Sequence, residues 1–177
     1  MRENHIKNIG QAAMFIAIGL VLPFFTGQVP RIGNMLLPMH LPVFICGLLC
    51  GWKYGLGVGF VLPLLRSAVF GMPLLYPNAI AMSVELGVYG LVAGLIYGLS
   101  QKKDIKKLYL AMAAAMITGR VAWGITEVLL LDLAGNVFTW QMFIAGAFLN
   151  AVPGIVLQLV LVPVIVTRIQ SARADEM

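Results

Sequence analysis

LPLLRSAVFGMPLLYPNAIAMSVELGVYG, residues 62–90, reads as an apolar hairpin with an arginine, Arg66, on one arm and a glutamate, Glu85, on the other. The connector between the arms, residues 72–78, holds Pro73, Tyr76, Pro77 and Asn78 and no charge. Each arm is apolar enough to sit in lipid, where an ionisable side chain is costly and marks either a site or a buried pair. The rest of the chain reads as a scaffold that brings further polar groups to the same depth.

The 177 residues are 60% hydrophobic and only 11% charged, with a mean hydropathy of +0.94. Soluble domains carry about 25% charged residues, so this chain lacks the polar surface to cover itself in water. An all-α integral membrane protein is expected, forming a single transmembrane domain over residues 1–177. The formal charge of +5 is spread in short clusters between apolar runs. That is a membrane-topology pattern and excludes a nucleic-acid face. Cys46 and Cys50 lie inside an apolar run with no nearby Cys or His at ligand spacing, so they read as packing residues and no metal is expected. The opening MRENHIKNIG is too polar for a cleaved signal peptide, and the first helix is expected to be retained.

A crossing helix needs about 20 mostly apolar residues, and on that ruler six spans are expected, near 9–27, 35–52, 54–72, 78–99, 107–128 and 142–167. Gln28–Arg31, the tight turn Gly51–Tyr54, Gly71–Pro73, the charged loop 100–107 and the polar stretch 132–140 separate them. Lysines and arginines of short loops collect on the cytoplasmic side. With the N-terminus inside, that side holds Arg2, Lys7, Lys53, Lys102, Lys103, Lys106, Lys107, Arg168 and Arg173, against Arg31 alone outside. Both termini are therefore expected in the cytoplasm. Gly90, Gly94 and Gly98 on the fourth span, and Gly55 and Gly59 on the third, stand at helix-packing spacing, as do Ala13 and Ala17 on the first. Such small residues let backbones approach closely. For the glycine ridges the plain expectation is packing inside the bundle.

At 1.5 Å per residue, Arg66 lies ~9 Å below the outer end of its span, Glu85 ~10 Å, and Arg120 and Asn150 ~12 Å, with His40 at a similar level. Five polar groups from five helices are thus expected in one layer of the outer half, while the inner half holds Gln158 as its main exception. Arg120, Trp123 and Glu127 share one helical stripe, as do Asn78, Met82, Glu85 and Tyr89. A cation, an indole and a carboxylate on one face suit a small polar ring compound, the charges fixing its ends and the aromatic ring its body. The candidate substrate-binding residues are Arg66, Tyr76, Asn78, Glu85, Arg120, Trp123, Glu127, Asn150 and His40. The plainer alternatives are structural ion pairs, Arg66–Glu85 or Arg120–Glu127, and a His40 that satisfies backbone groups freed by Pro38 and Pro42. The chain has no HExxH, GxSxG, paired intramembrane aspartates or Walker loop. No enzyme activity, catalytic set or cofactor is expected.

Six helices in 177 residues, an N-terminal AxxxA, a proline-flanked second helix and the turn Gly51-Trp52-Lys53-Tyr54-Gly55 resemble the S components of energy-coupling factor (ECF) transporters, over about residues 10–168. The resemblance implies a subunit that captures a vitamin or related micronutrient from outside, using helices 4 to 6 and the outer loops. It implies docking on a transmembrane coupling subunit driven by two cytoplasmic ATPases, with toppling in the membrane to deliver the cargo. It also implies a prokaryotic plasma-membrane location, and it assigns Ala13 and Ala17 to the coupling-subunit interface. Two arginines at pocket depth favour a carboxylate or phosphate on the substrate, with Glu85 free to receive an amine, a ring nitrogen or a hydroxyl. Pantothenate, a B6 vitamer, a nicotinate-like acid or a deazapurine base each fit. The connectors between helices 1 and 2 and helices 3 and 4 are expected to close as a lid. The competing class is a stand-alone ion-coupled secondary transporter or channel, which would need polar residues through the inner half as well. A membrane enzyme or assembly scaffold is a third class, with no catalytic set to support it.

Overall fold

An apolar stretch in lipid satisfies its backbone by closing hydrogen bonds within a helix. The computed structural model is accordingly helical over most of the residues it describes, which are 2–25, 36–100, 104–135, 139–146 and 150–175, with side chains given between residues 5 and 172. Among the described residues there are seven α-helices: α1 (Arg2–Phe25), α2 (His40–Cys50), α3 (Trp52–Phe70), α4 (Ile80–Leu99), α5 (Ile105–Leu133), α6 (Trp140–Ile144) and α7 (Val152–Asp175). A π-helical turn, Leu75–Ala79, leads into α4. Among the described residues, five stretches are long and apolar enough to cross a membrane: His5–Phe25, Trp52–Phe70, Leu75–Leu99, Ile105–Leu133 and Val152–Ala172.

The second expected span, 35–52, arrives as the 11-residue helix α2. Leu37 takes a positive φ of 49° and Pro38 follows it, so the chain turns before His40 and the helix starts there. Nearly every residue of α2 is buried, as expected of a helix that is apolar on all sides. α1, α3, α4 and α7 pack around it. The hydrophobic core joins Val43, Phe44 and Leu48 of α2 to Leu62, Leu86, Met112 and Val162 of its neighbours.

Local chemistry sets the ends. Gly51, at φ 96°, is the single residue between α2 and α3. Gly71 closes α3 in the left-handed conformation, φ 69°, and its N–H returns to the Ser67 carbonyl at 2.9 Å, an arrangement that favours glycine. Asp104 caps α5 by accepting the Ile105 N–H at 2.7 Å, and Thr139 caps α6 by accepting the Met142 N–H at 3.3 Å. α5 runs to Leu133, past the expected end at 128, because Leu129, Leu130 and Leu131 extend the apolar run and the chain turns at Gly135, φ 72°. The last expected span, 142–167, holds two described α-helices, with residues 147–149 outside the described residues. α6 stops at Ile144, and α7 begins at Val152 with Pro153 in its first turn, where the missing proline N–H is tolerated.

α3 and α4 pack as an antiparallel hairpin at backbone contact. A Cβ on Gly55 would come within 2.7 Å of the Gly90 carbonyl oxygen and 2.6 Å of Gly47 Cα, and one on Gly94 within 2.8 Å of the Gly47 carbonyl oxygen. The glycine ridges therefore serve the interior of the bundle. Gly98 faces open space. Lys7 and Lys53 sit near the helix ends that the His5–Tyr54 contact joins, and Arg168 near the end of α7 that meets α4 through Tyr97 and Gln170. Arg31, the connector 28–31, Lys102 and Lys103 lie outside the described residues, as do the side chains of Arg2 and Arg173.

Candidate functional site

Three helices meet at one carboxylate. Glu85, in the second turn of α4, brings Oε1 to 2.9 Å from Arg120 Nη1 of α5 and 3.5 Å from His40 Nε2 at the start of α2. The three residues are 2%, 5% and 1% exposed, so a lone charge among them would be strongly destabilising. Tyr89, one turn further along α4, packs edge-on against His40 and Phe44 with ring centres 5.1 and 5.0 Å away. Gly119, next to Arg120, leaves the space that the Tyr89 ring fills. The layer is thus held by packing as well as by charge.

Its polar valences are not all used. The contact between Arg120 and Glu85 is off the hydrogen-bond line, so Glu85 Oε1 has an ion-pair partner and no hydrogen bond. Arg120 Nε and Nη2 and both ring nitrogens of His40 also lack a hydrogen-bond partner while fully buried. Each such group costs on the order of 1–3 kcal/mol if left unmade. Nε and Nη2 together form the side-on edge of a guanidinium, which matches the two oxygens of a carboxylate.

The remaining predicted residues fall into two other places. Arg66 does not pair with Glu85, and Arg120 does not pair with Glu127. Arg66 Nη1 donates to the Leu20 carbonyl of α1 at 2.7 Å, and its guanidinium lies over Phe24 and Phe70, 5.2 and 5.4 Å from the ring centres. It fastens α1 to α3 and does not join the polar layer. Glu127 is buried on α5, on the same stripe as Arg120. Trp123, between them, is half-buried and stacks on Phe143 at 6.2 Å, which in turn stacks on Trp140 at 5.2 Å.

Tyr76 and Asn78 are exposed on the α3–α4 connector, where the Tyr76 hydroxyl donates to the Leu130 carbonyl of α5. Asn150 was expected ~12 Å deep inside a continuous helix. It lies instead in the turn before α7, exposed, with its N–H donating to the Ala145 carbonyl at 2.9 Å.

The sequence stripes did not single out Phe143 and Trp140, although a tryptophan and a phenylalanine three apart behind a threonine cap mark one face of a short helix. The glycines that seat the stack are also informative afterwards: a Cβ on Gly146 would come within 2.7 Å of the Trp123 ring. Tyr89 was placed on the right stripe of α4 but not among the site residues.

Comparison with known proteins agrees with the resemblance drawn from the sequence. The family model for the ECF transporter substrate-specific component matches residues 7–166. No curated protein and no solved structure matches the chain. With the family match running through every long helix and through the buried layer, the chain belongs to the substrate-specific components of ECF transporters.

Proposed function

We propose that the protein captures a small carboxylate-bearing solute at the His40–Glu85–Arg120 layer, with Trp123 and Glu127 lining the approach from the outer end. The observation that carries this reading is the Arg120 guanidinium. One nitrogen is committed to Glu85 while the Nε–Nη2 edge is buried and unpartnered. A carboxylate on that edge makes two charge-assisted hydrogen bonds where water is excluded. α2 begins at the same layer without a side-chain cap, so the positive end of its dipole adds to the attraction for an anion. His40, with neither ring nitrogen hydrogen-bonded, supplies a donor or an acceptor beside it.

Delivery belongs to a partner. As an ECF substrate-specific component the chain works with an ECF module, and the proposed contact runs through α1. Ala13 and Ala17 are exposed there, beside an open apolar groove lined by Ala17, Ile18, Val21, Leu22 and Phe25. Small side chains on an exposed helix face permit close helix approach, as a transmembrane coupling subunit powered by two cytoplasmic ATPases would need. In this reading the chain is one transmembrane domain in the plasma membrane with both termini in the cytoplasm, and the Tyr76 connector closes over the substrate. The test is equilibrium binding to the purified chain. Arg120→Ala is expected to reduce affinity for the physiological substrate at least about 100-fold, in line with the loss of a bidentate charged contact, and unchanged affinity would refute the site.

A further inference from the structure

Gln158 of α7 is 1% exposed, and neither its amide nitrogen nor its amide oxygen has a hydrogen-bond partner. From sequence it stands alone in the inner half, but the structure gives it a different level. The Tyr97 hydroxyl of α4 reaches Gln170 Oε1 of α7 at 3.0 Å, near the C-terminal end of each helix, and since α7 packs along α2 and α5 it must run in the same direction as α4. Glu85 and Gln158 each lie twelve residues before that contact, about 18 Å along their helices. Gln158 therefore stands at the level of Glu85. Its helix packs against α2 and α5, the two that carry His40 and Arg120. Its inward stripe continues through Gly154 and Val162, both buried.

We infer that Gln158 is a specificity-determining residue of the same site, where it reads a neutral amide on the solute whose carboxylate Arg120 holds. The inference rests on the carboxylate reading above and adds a second recognised group. A primary amide offers a donor and an acceptor side by side, and the complementary partner is another amide. A charged group would gain less there, because a neutral amide cannot offset the burial of a charge. The solute class is thus a small acid that carries an amide away from its carboxylate, an N-acylated amino acid being the simplest example. A site built to hydrogen-bond a group discriminates strongly against analogues that lack it.

The test uses the full chain purified in mild detergent and three probes. Pantothenate carries both a carboxylate and an amide, nicotinate carries the carboxylate alone, and nicotinamide carries the amide alone. Wild-type protein is expected to bind pantothenate at least roughly tenfold more tightly than either of the others. Gln158→Leu and the longer, unbranched Gln158→Met are expected to weaken pantothenate roughly 10–100-fold while leaving nicotinate unchanged. Neither substitution should lower the melting temperature of the empty protein, because each replaces unpaired buried groups with apolar ones. Pantothenate binding at wild-type strength in both variants overturns the inference. So does a wild-type protein that binds nicotinate as well as pantothenate, or binds neither. A lower melting temperature of the empty variants with binding intact also overturns it, since it makes Gln158 a packing residue. Arg120→Ala is read separately: if it retains pantothenate binding, the carboxylate reading fails, whatever Gln158 does.

Discussion

Arg120 and Arg66 are both arginines buried within apolar helices, yet their surroundings give them different work. Arg120 shares a carboxylate with His40 and keeps one edge unpartnered. Arg66 is absorbed by a backbone carbonyl and two phenylalanine rings. Removing one partner of a buried ion pair costs about 3–5 kcal/mol because the other charge is stranded. Arg120→Met should therefore lower the melting temperature markedly, and adding Glu85→Gln should restore much of it. A double variant no more stable than Arg120→Met would show that the 2.9 Å contact is not a working ion pair. Arg66→Met, in contrast, should leave substrate affinity within about twofold while destabilising the fold by about 1–2 kcal/mol through the lost contact with α1. A large loss of affinity in a protein of unchanged stability would return Arg66 to the binding site where its sequence position first put it. The sequence showed which residues are costly to bury, but not which of them meet. Pairing depends on the rotation and register of α4 against α5, and the depth of Arg120 was counted from position 128 when α5 runs on to Leu133.

At the scale of elements, α3 and α4 touch through glycine backbones, and this contact holds the hairpin that carries both Arg66 and Glu85. Gly90→Leu would drive side-chain atoms into the Gly55 backbone. Overpacking costs typically about 1–3 kcal/mol where neighbours can yield. Here the neighbour is backbone, so a loss at or above the top of that range is expected, read as the yield and melting temperature of folded protein. Gly98→Ala, facing open space, should be neutral or stabilising by up to about 1 kcal/mol, and equal damage from the two changes would contradict the packing. The long apolar runs made α1, α3, α4 and α5 legible, and the glycine spacing on α3 and α4 announced close packing inside the bundle. The separate start of α7 at Val152 was hidden because residues 142–167 are apolar almost throughout. Pro153 in the first turn and the turn at Asn150 mark that start. The shortness of α2 was hidden for a similar reason, since Pro38 and Pro42 flank His40 without saying on which side the helix begins.

Among the described residues the molecule presents a buried polar layer and an exposed small-residue face on α1. Phe15 is the buried residue on the stretch of α1 that exposes Ala13, Met14 and Ala17, so that face is available to a partner without unpacking the core. Ala13→Trp or Ala17→Trp should abolish uptake by cells that contain the ECF module and leave binding by the purified chain unchanged, because bulk on that face blocks close helix approach. Uptake that survives both substitutions would move the docking surface off α1. If that face serves delivery and the polar layer serves capture, as proposed, substitutions in one should not disturb the other.

The claim on which the rest depends is that the Arg120 layer is a substrate site. It is tested most directly by native mass spectrometry of the chain purified alone, as wild type and as Arg120→Ala. A small carboxylic acid bound one-to-one to the wild type and missing from the folded variant is the result expected. A wild type that carries no small molecule across a panel of carboxylate-bearing vitamins, or a variant that retains the same bound mass, would contradict it.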